Sequence, residues 1–177
     1  MTQTPAAQDT IQTIDHVDLA RYLGDWFEIC RLPMKWEDEG ASDITASYSL
    51  NDDGSITVDN RCLNEKGEPT QSLGEATAVD ASNAKLKVTF LPKLLRWIPF
   101  TEGDYWIFRL DPDYRIALVG SPDRKFLWLL ARDHRLDASE SQPYLDWAAA
   151  QGFDTSVLIW PHQSGRRVSD TMLAQNA

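Results

Sequence analysis

The stretch DITASYSLNDDGSITVDNRCL, residues 43–63, decides how the rest of the chain is read. Ile44, Ala46, Tyr48 and Leu50 alternate with polar or small residues, the period of two that marks a strand with distinct faces. NDDG at 51–54 is a hairpin turn. Beyond it Ile56, Val58, Asn60 and Cys62 form one face against Thr57, Asp59 and Arg61 on the other.

The same pattern extends in both directions. Residues 25–32 (DWFEICRL) put Trp26, Glu28, Cys30 and Leu32 on one face. Residues 72–80 place small Gly74, Ala76 and Ala78 on one side, and 84–91 set Leu86, Val88 and Phe90 opposite Lys85, Lys87 and Thr89. Three further strands follow at 104–110, 114–120 and 126–132, apolar on both faces. Eight sequential strands with mostly tight turns predict an all-β, antiparallel up-and-down barrel or a sandwich. Something must cover the doubly apolar strands, and residues 137–153 supply a helix. Asp137 and Ser139 are its candidate caps, Pro143 belongs in the first turn, and Gly152 stops it. Residues 156–160 predict one more short strand. The spacing thus predicts a loose arm at 1–13, a folded domain at 14–163 and a weakly structured tail at 164–177.

Composition narrows the function. The 177 residues suit one domain, and a formal net charge of −10 argues against nucleic acid, which needs a basic face. No run reaches the roughly 18 apolar residues of a membrane span. The first residues, MTQTPAAQDTIQT, lack the basic and apolar regions of a signal peptide, and the first cysteine is Cys30. The expected location is therefore the cytoplasm, with the periplasm or outer membrane as the alternative if a signal segment has been removed. Two cysteines make no disulfide framework, and the three histidines, His16, His134 and His162, suggest neither a triad nor a metal site. No cofactor motif occurs, and the acids at 37–39 read as a solvated loop.

At YLGDWFEICRLP the chain resembles the lipocalins, and with GDYWIF and LWLLAR it looks most like their bacterial and apolipoprotein D branches. The Gly-x-Trp of that family is Gly24-Asp25-Trp26. The turn between its sixth and seventh strands matches loosely at Asp111, and the basic residue closing the eighth strand is Arg132. The resemblance implies an eight-stranded calyx with the helix packed outside. It also implies that Arg132 stacks over Trp26 at the closed end, a cation–π contact of roughly 0.5–2 kcal/mol. Gly24, Trp26, Asp111 and Arg132 then serve structure, not ligand.

An eight-stranded barrel of this kind holds one small ligand. The turns at 51–54, 81–83 and 111–113 belong to the closed end; 33–42, 64–71, 92–103 and 121–125 belong to the mouth. LPKLLRWIPF at 91–100 therefore lies on the rim with Met34 and Trp36. It reads as a ligand entrance, a satellite of the core, a transient membrane contact or a homodimer surface. Parity places Cys30, Tyr48, Val58, Asn60, Cys62, Ala76, Val88, Phe90, Trp128 and Leu130 on the cavity wall, with Glu28 low and Trp97 at the rim; on the doubly apolar 104–110 strand the resemblance implies that Tyr105 and Ile107 turn inward. Trp106 and Phe108 face out, under the helix. The small Ala76 and Ala78 leave room for ligand. Cys30 and Cys62 lie on strands separated by another, beyond the usual disulfide reach of about 7 Å, so free thiols are expected. The expected function is binding of a fatty acid, lysophospholipid or similar lipid, for transport, storage or membrane maintenance. The alternative is an enzyme of the same fold using an inward thiol, although no His or Lys is placed to lower its pKa.

Overall fold

The computed structural model describes residues 10–91, 94 and 102–177. Eight strands, β1 (Gly24–Arg31), β2 (Ser42–Leu50), β3 (Ile56–Leu63), β4 (Pro69–Ala78), β5 (Lys85–Thr89), β6 (Gly103–Leu110), β7 (Ile116–Gly120) and β8 (Leu127–Ala131), form a closed antiparallel barrel. Each pairs with its sequence neighbours, and β8 returns to β1. The expected up-and-down barrel, rather than a sandwich, is what the pairing produces. A short helix, α1 (Leu19–Tyr22), precedes β1; α2 (Ala138–Ala150) lies outside the barrel.

Two apolar clusters account for the periodicities. One fills the lower interior with Trp26, Tyr22, Ile107, Ala117 and Val119. The other joins the outer faces of β6, β7 and β8 to α2: Phe108 meets Trp147 at 5.7 Å and Phe153 at 5.8 Å between ring centroids. β7 is buried along its whole length because it has a neighbour on both faces. The capping of α2 follows its residue types. The Asp137 N–H donates to Glu140 Oε2 at 3.2 Å. At the other end Gly152, at φ +92°, lets its own N–H reach the Ala149 carbonyl and that of Phe153 reach Ala148. Because Asp137 caps the helix, Pro143 falls beyond the first turn, to which the sequence pattern had assigned it.

The described segments flanking the barrel are more ordered than their polarity suggests. Ile11 is buried in the outer cluster, so the loose arm expected at 1–13 is packed at this residue. Residues 156–160 form no strand. A 3₁₀ turn, Thr155–Val157, leads to a single bridge between Ile159 and Arg31. The reason lies in β1, which β2 leaves beyond the Phe27–Thr45 pair, so that only a short length of edge remains open. The following residues stitch this split. Gln163 Nε2 donates to the carbonyls of Glu28 and Ile44, both at 2.8 Å. The Asp43 carboxylate accepts the Ser164 N–H at 2.7 Å. The tail then forms α3 (Asp170–Gln175), capped by Ser169 and tied to β3 through the Asp170–Arg61 ion pair at 2.7 Å. A weakly structured tail is therefore corrected: Ser164 donates to the Asp43 carboxylate, and Arg61 holds both Asp170 and the Val168 carbonyl.

The closed end is built by one residue. The Arg132 guanidinium sits 3.8 Å from the Trp26 ring centroid. It donates to the carbonyls of Arg21, Tyr22, Leu23, Asp25 and Tyr114 at 2.8–3.1 Å. Gly24 adopts φ +95° where the chain turns into β1, and a Cβ there would meet Arg132 Nη1 at 3.4 Å. Asp111 accepts the N–H of Ile116 at 2.7 Å and holds the β6–β7 turn. Arg132→Ala removes the stacked cation and its hydrogen bonds to these carbonyls, of which that of Tyr22 keeps one side-chain donor, the Trp26 indole N–H. We expect it to cost about 2–4 kcal/mol, read as a lower urea midpoint with unchanged m-value.

Candidate functional site

Above Trp26 the barrel encloses a cavity of about 980 Å³ that opens between the mouth loops. Its wall brings together ten of the residues placed there from the sequence: Tyr48, Val58, Asn60, Cys62, Ala76, Val88, Phe90, Tyr105, Trp128 and Leu130. Tyr22, Ile44, Ala46, Ile56 and Leu86 complete the lower wall, while Met34, Trp36, Leu91 and Phe126 stand toward the rim. The aromatic rim is continuous: Trp36 packs on Phe126 at 5.0 Å, and Phe126 stacks on Trp128 at 6.0 Å. Trp97 lies outside the described residues, as does most of 91–100; Leu94, within that stretch, is 86% exposed.

Two of these assignments fail, and Ala78 is misplaced. Pairing of β1 with β8 shifts between Glu28 and Cys30: Glu28 faces Leu130, yet Cys30 faces Leu129. The inserted residue reverses every side chain beyond it. Cys30 is therefore turned outward into the cluster under α2, not into the cavity. Ile107 does point inward, but it packs among Trp26, Ala117 and Val119 and fills the closed end below the cavity. Ala78 sits at the exposed end of β4, leaving Gly74 and Ala76 as the small buried residues.

The same irregularity creates a feature that the strand pattern concealed. On a regular strand Glu28 and Arg31 would face opposite ways; here Arg31 Nη1 donates to Glu28 Oε1 at 2.8 Å. Arg31 is fully buried, and its Nη2 donates to the Asp38 carbonyl at 2.7 Å, pinning the mouth loop. Glu37 comes down from that loop to within 3.5 Å of Arg31 Nε. A solvated loop at 37–39 is thus corrected for Glu37, which the guanidinium holds against the barrel. Burial, then the Glu37 charge, pushes the Glu28 carboxyl up to about 8, against the lowering effect of Arg31. Burial likewise raises Glu37.

Deeper, three phenols meet. The Tyr105 hydroxyl is 2.5 Å from that of Tyr22 and 3.0 Å from that of Tyr48. Burial raises all three pKa values, Tyr48 to about 12. The two thiols occupy different worlds. Burial, then the Glu28 charge, pushes Cys30 up to about 12, whereas half-buried Cys62 lines the cavity 3.1 Å from Thr70 Oγ1. Both are free. Tyr22 and Arg31 were missed in the sequence because Tyr22 precedes the first strand and Arg31 changes face only through the bulge.

A family model described as a lipocalin-like domain matches residues 17–163. The chain belongs to the lipocalin family. Its relatives include the outer membrane lipoprotein Blc of Escherichia coli, 38% identical over 164 residues, with 92% of this chain and 88% of Blc covered. Temperature-induced lipocalin-1 of Arabidopsis thaliana is 36% identical, with 87% and 83% covered. Apolipoprotein D of Mus musculus is 32% identical, with 85% and 79% covered. Among solved structures, insecticyanin from the tobacco hornworm Manduca sexta superposes with a TM-score of 0.65 at 17% identity, covering 92% of this chain and 86% of its own. Apocrustacyanin C1 does so at 0.68 and 12%, covering 89% and 86%. These structures share the fold. As a lipocalin, the chain binds a small hydrophobic ligand. The cytoplasmic location expected above is corrected by the relatives: Blc proteins of Escherichia coli, Citrobacter freundii and Vibrio cholerae are outer membrane lipoproteins, which points to the periplasm or outer membrane instead.

Two outcomes follow from the titrating groups. The folded Glu28 pKa lies above its unfolded value of about 4.3, so the folded state holds the extra proton. Stability is full below that unfolded value and is lost as pH rises toward about 8, by at most roughly 1.4 kcal/mol per pH unit. Glu28→Gln should flatten this decline in denaturation curves taken from pH 5 to pH 8; an unchanged slope would assign it elsewhere. Iodoacetamide at pH 8 should label Cys62 well before Cys30, as peptide mass spectrometry would report.

Proposed function

We propose that this lipocalin holds a single-chain lipid, a fatty acid, lysophospholipid or similar amphiphile, with the chain inside the barrel and one polar end at the mouth. The observation that carries the reading is the largely apolar cavity of about 980 Å³, lined from Tyr22 near the closed end to Met34, Trp36 and Phe126 toward the rim. Its volume falls at the upper end of the usual range for small-molecule sites. A chain of about sixteen carbons buries methylenes at roughly 0.8 kcal/mol each, enough to bind well after the entropy of immobilisation. The polar side chains of Asn64, Thr70 and Gln71 stand near the opening, where a head group would remain wet. Exposed Trp36 and Leu94 at the same end support transient contact with a lipid surface, from which such a ligand would be taken up.

Binding rather than turnover is the reading the thiols support. Cys30 is turned away from the cavity, and its pKa is raised, as is that of Cys62. A nucleophilic thiol needs the opposite environment. The role that follows is carriage or storage of lipid, or membrane maintenance.

Displacement of a fluorescent fatty-acid probe by a panel of fatty acids and lysolipids tests the proposal. Wild-type protein should bind the probe at micromolar concentration and release it to the panel. Trp128→Ala, which opens the upper wall, should weaken binding about tenfold or more, the scale set by losing a large apolar contact. No probe binding by the wild type would reject the lipid reading.

A further inference from the structure

The deepest polar groups of the cavity do not balance. Tyr22, Tyr48 and Tyr105 all line it. Tyr48 lies opposite Gly24 in the β1–β2 ladder, and Tyr22 packs on Trp26 at 5.2 Å, so the three hydroxyls sit directly above the closed end. Each phenol carries one proton to donate. Their contacts, Tyr22 with Tyr105 and Tyr48 with Tyr105, use two of the three. Among the described residues the three hydroxyls make no other hydrogen bond. Whichever way the chain of bonds runs, one O–H is left without a protein acceptor. A donor in that state, buried if it falls on Tyr22 or Tyr48 and half-buried if on Tyr105, carries a penalty that a suitable partner removes.

The surroundings limit what that partner is. The walls beside the phenols are Ile56, Leu86, Val119 and Leu130, which offer no acceptor; the Glu28 carboxyl lies near enough to raise the Tyr48 pKa but accepts no hydrogen bond from the phenols. A saturated chain lowered tail-first would end with its methyl group against three hydroxyls. We propose that this floor is a hydrogen-bond donor subsite, and that the preferred ligand is a long-chain lipid bearing a carbonyl oxygen near its inserted end. A carbonyl brings two lone pairs and no further proton, so it satisfies the spare donor without creating another. The inference rests on the lipid reading of the cavity and specifies the chemistry of the buried end.

The test compares two lipids that share length and carboxylate and differ only near the inserted end: hexadecanoate and 15-oxohexadecanoate. Both are titrated against the bound fluorescent probe, and the ketone stretch of the bound oxo-lipid is recorded by infrared spectroscopy. The oxo-lipid should bind about tenfold more tightly, the scale set by pairing one buried donor, and its ketone stretch should move to lower wavenumber than in alkane. Both effects should vanish when Tyr22→Phe, Tyr48→Phe and Tyr105→Phe are combined; if that variant does not fold, the wild-type carbonyl stretch decides alone. Affinities within twofold and an unshifted stretch, with hexadecanoate still displacing the probe, would overturn the subsite while the lipid reading stands. Failure of both lipids to displace the probe would overturn both.

Discussion

The stacking of Arg132 on Trp26 is the contact on which the rest of this molecule depends. A barrel of eight strands has two open ends, and a calyx needs one of them shut. Here a single guanidinium covers the indole and gathers carbonyls from the lead-in to β1, from β1 itself and from the β6–β7 turn. It thereby fixes where β8 ends relative to where β1 begins. Everything above it, including the floor of phenols, takes its height from that closure. A planar cation with five donors is suited to this task in a way that a lysine is not, because stacking and multiple hydrogen bonds are satisfied together.

A second constraint acts in the opposite direction, by breaking regularity. The bulge in β1 moves Cys30 to the outer face and brings Glu28 and Arg31 together on one side. One inserted residue thus decides two chemical properties: it shields a thiol from the cavity and builds a buried ion cluster that ties the 33–41 loop to the barrel wall. Where β2 parts from β1, the C-terminal segment restores the missing partners through Gln163 and Asp43. The tail is therefore part of the barrel's hydrogen-bond accounting, although its composition is that of a surface segment.

Much of the architecture is legible from periodicity because burial acts on strands residue by residue. Val58, Asn60 and Cys62 share the cavity face of β3, as alternation requires, and Phe108 meets the helix, as the lipocalin resemblance implied. Asp137 and Gly152 mark the ends of α2 through caps that depend on local chemistry alone, whereas Ser139, the other candidate cap, lies inside the first turn. The helix also accounts for the three doubly apolar strands. Parity misleads where counting by twos is interrupted, as at Cys30, and the resemblance misleads where a side chain points inward but below the cavity, as at Ile107.

By itself the sequence determined the eight strands, the external helix, the closing pair Trp26 and Arg132, and a mainly apolar interior. Each of these follows from local alternation, capping chemistry or, for the closing pair, the resemblance to the lipocalins. Only the tertiary structure decided that Glu37 reaches Arg31, that Tyr22 joins Tyr48 and Tyr105, that Gln163 bridges β1 and β2, and that the two thiols lie on opposite sides of the wall. These are contacts between residues distant in the chain, or consequences of one bulge. A pattern read along a strand carries no information about either, because register and bulge position are set by how neighbouring strands pack, not by the alternation within one of them.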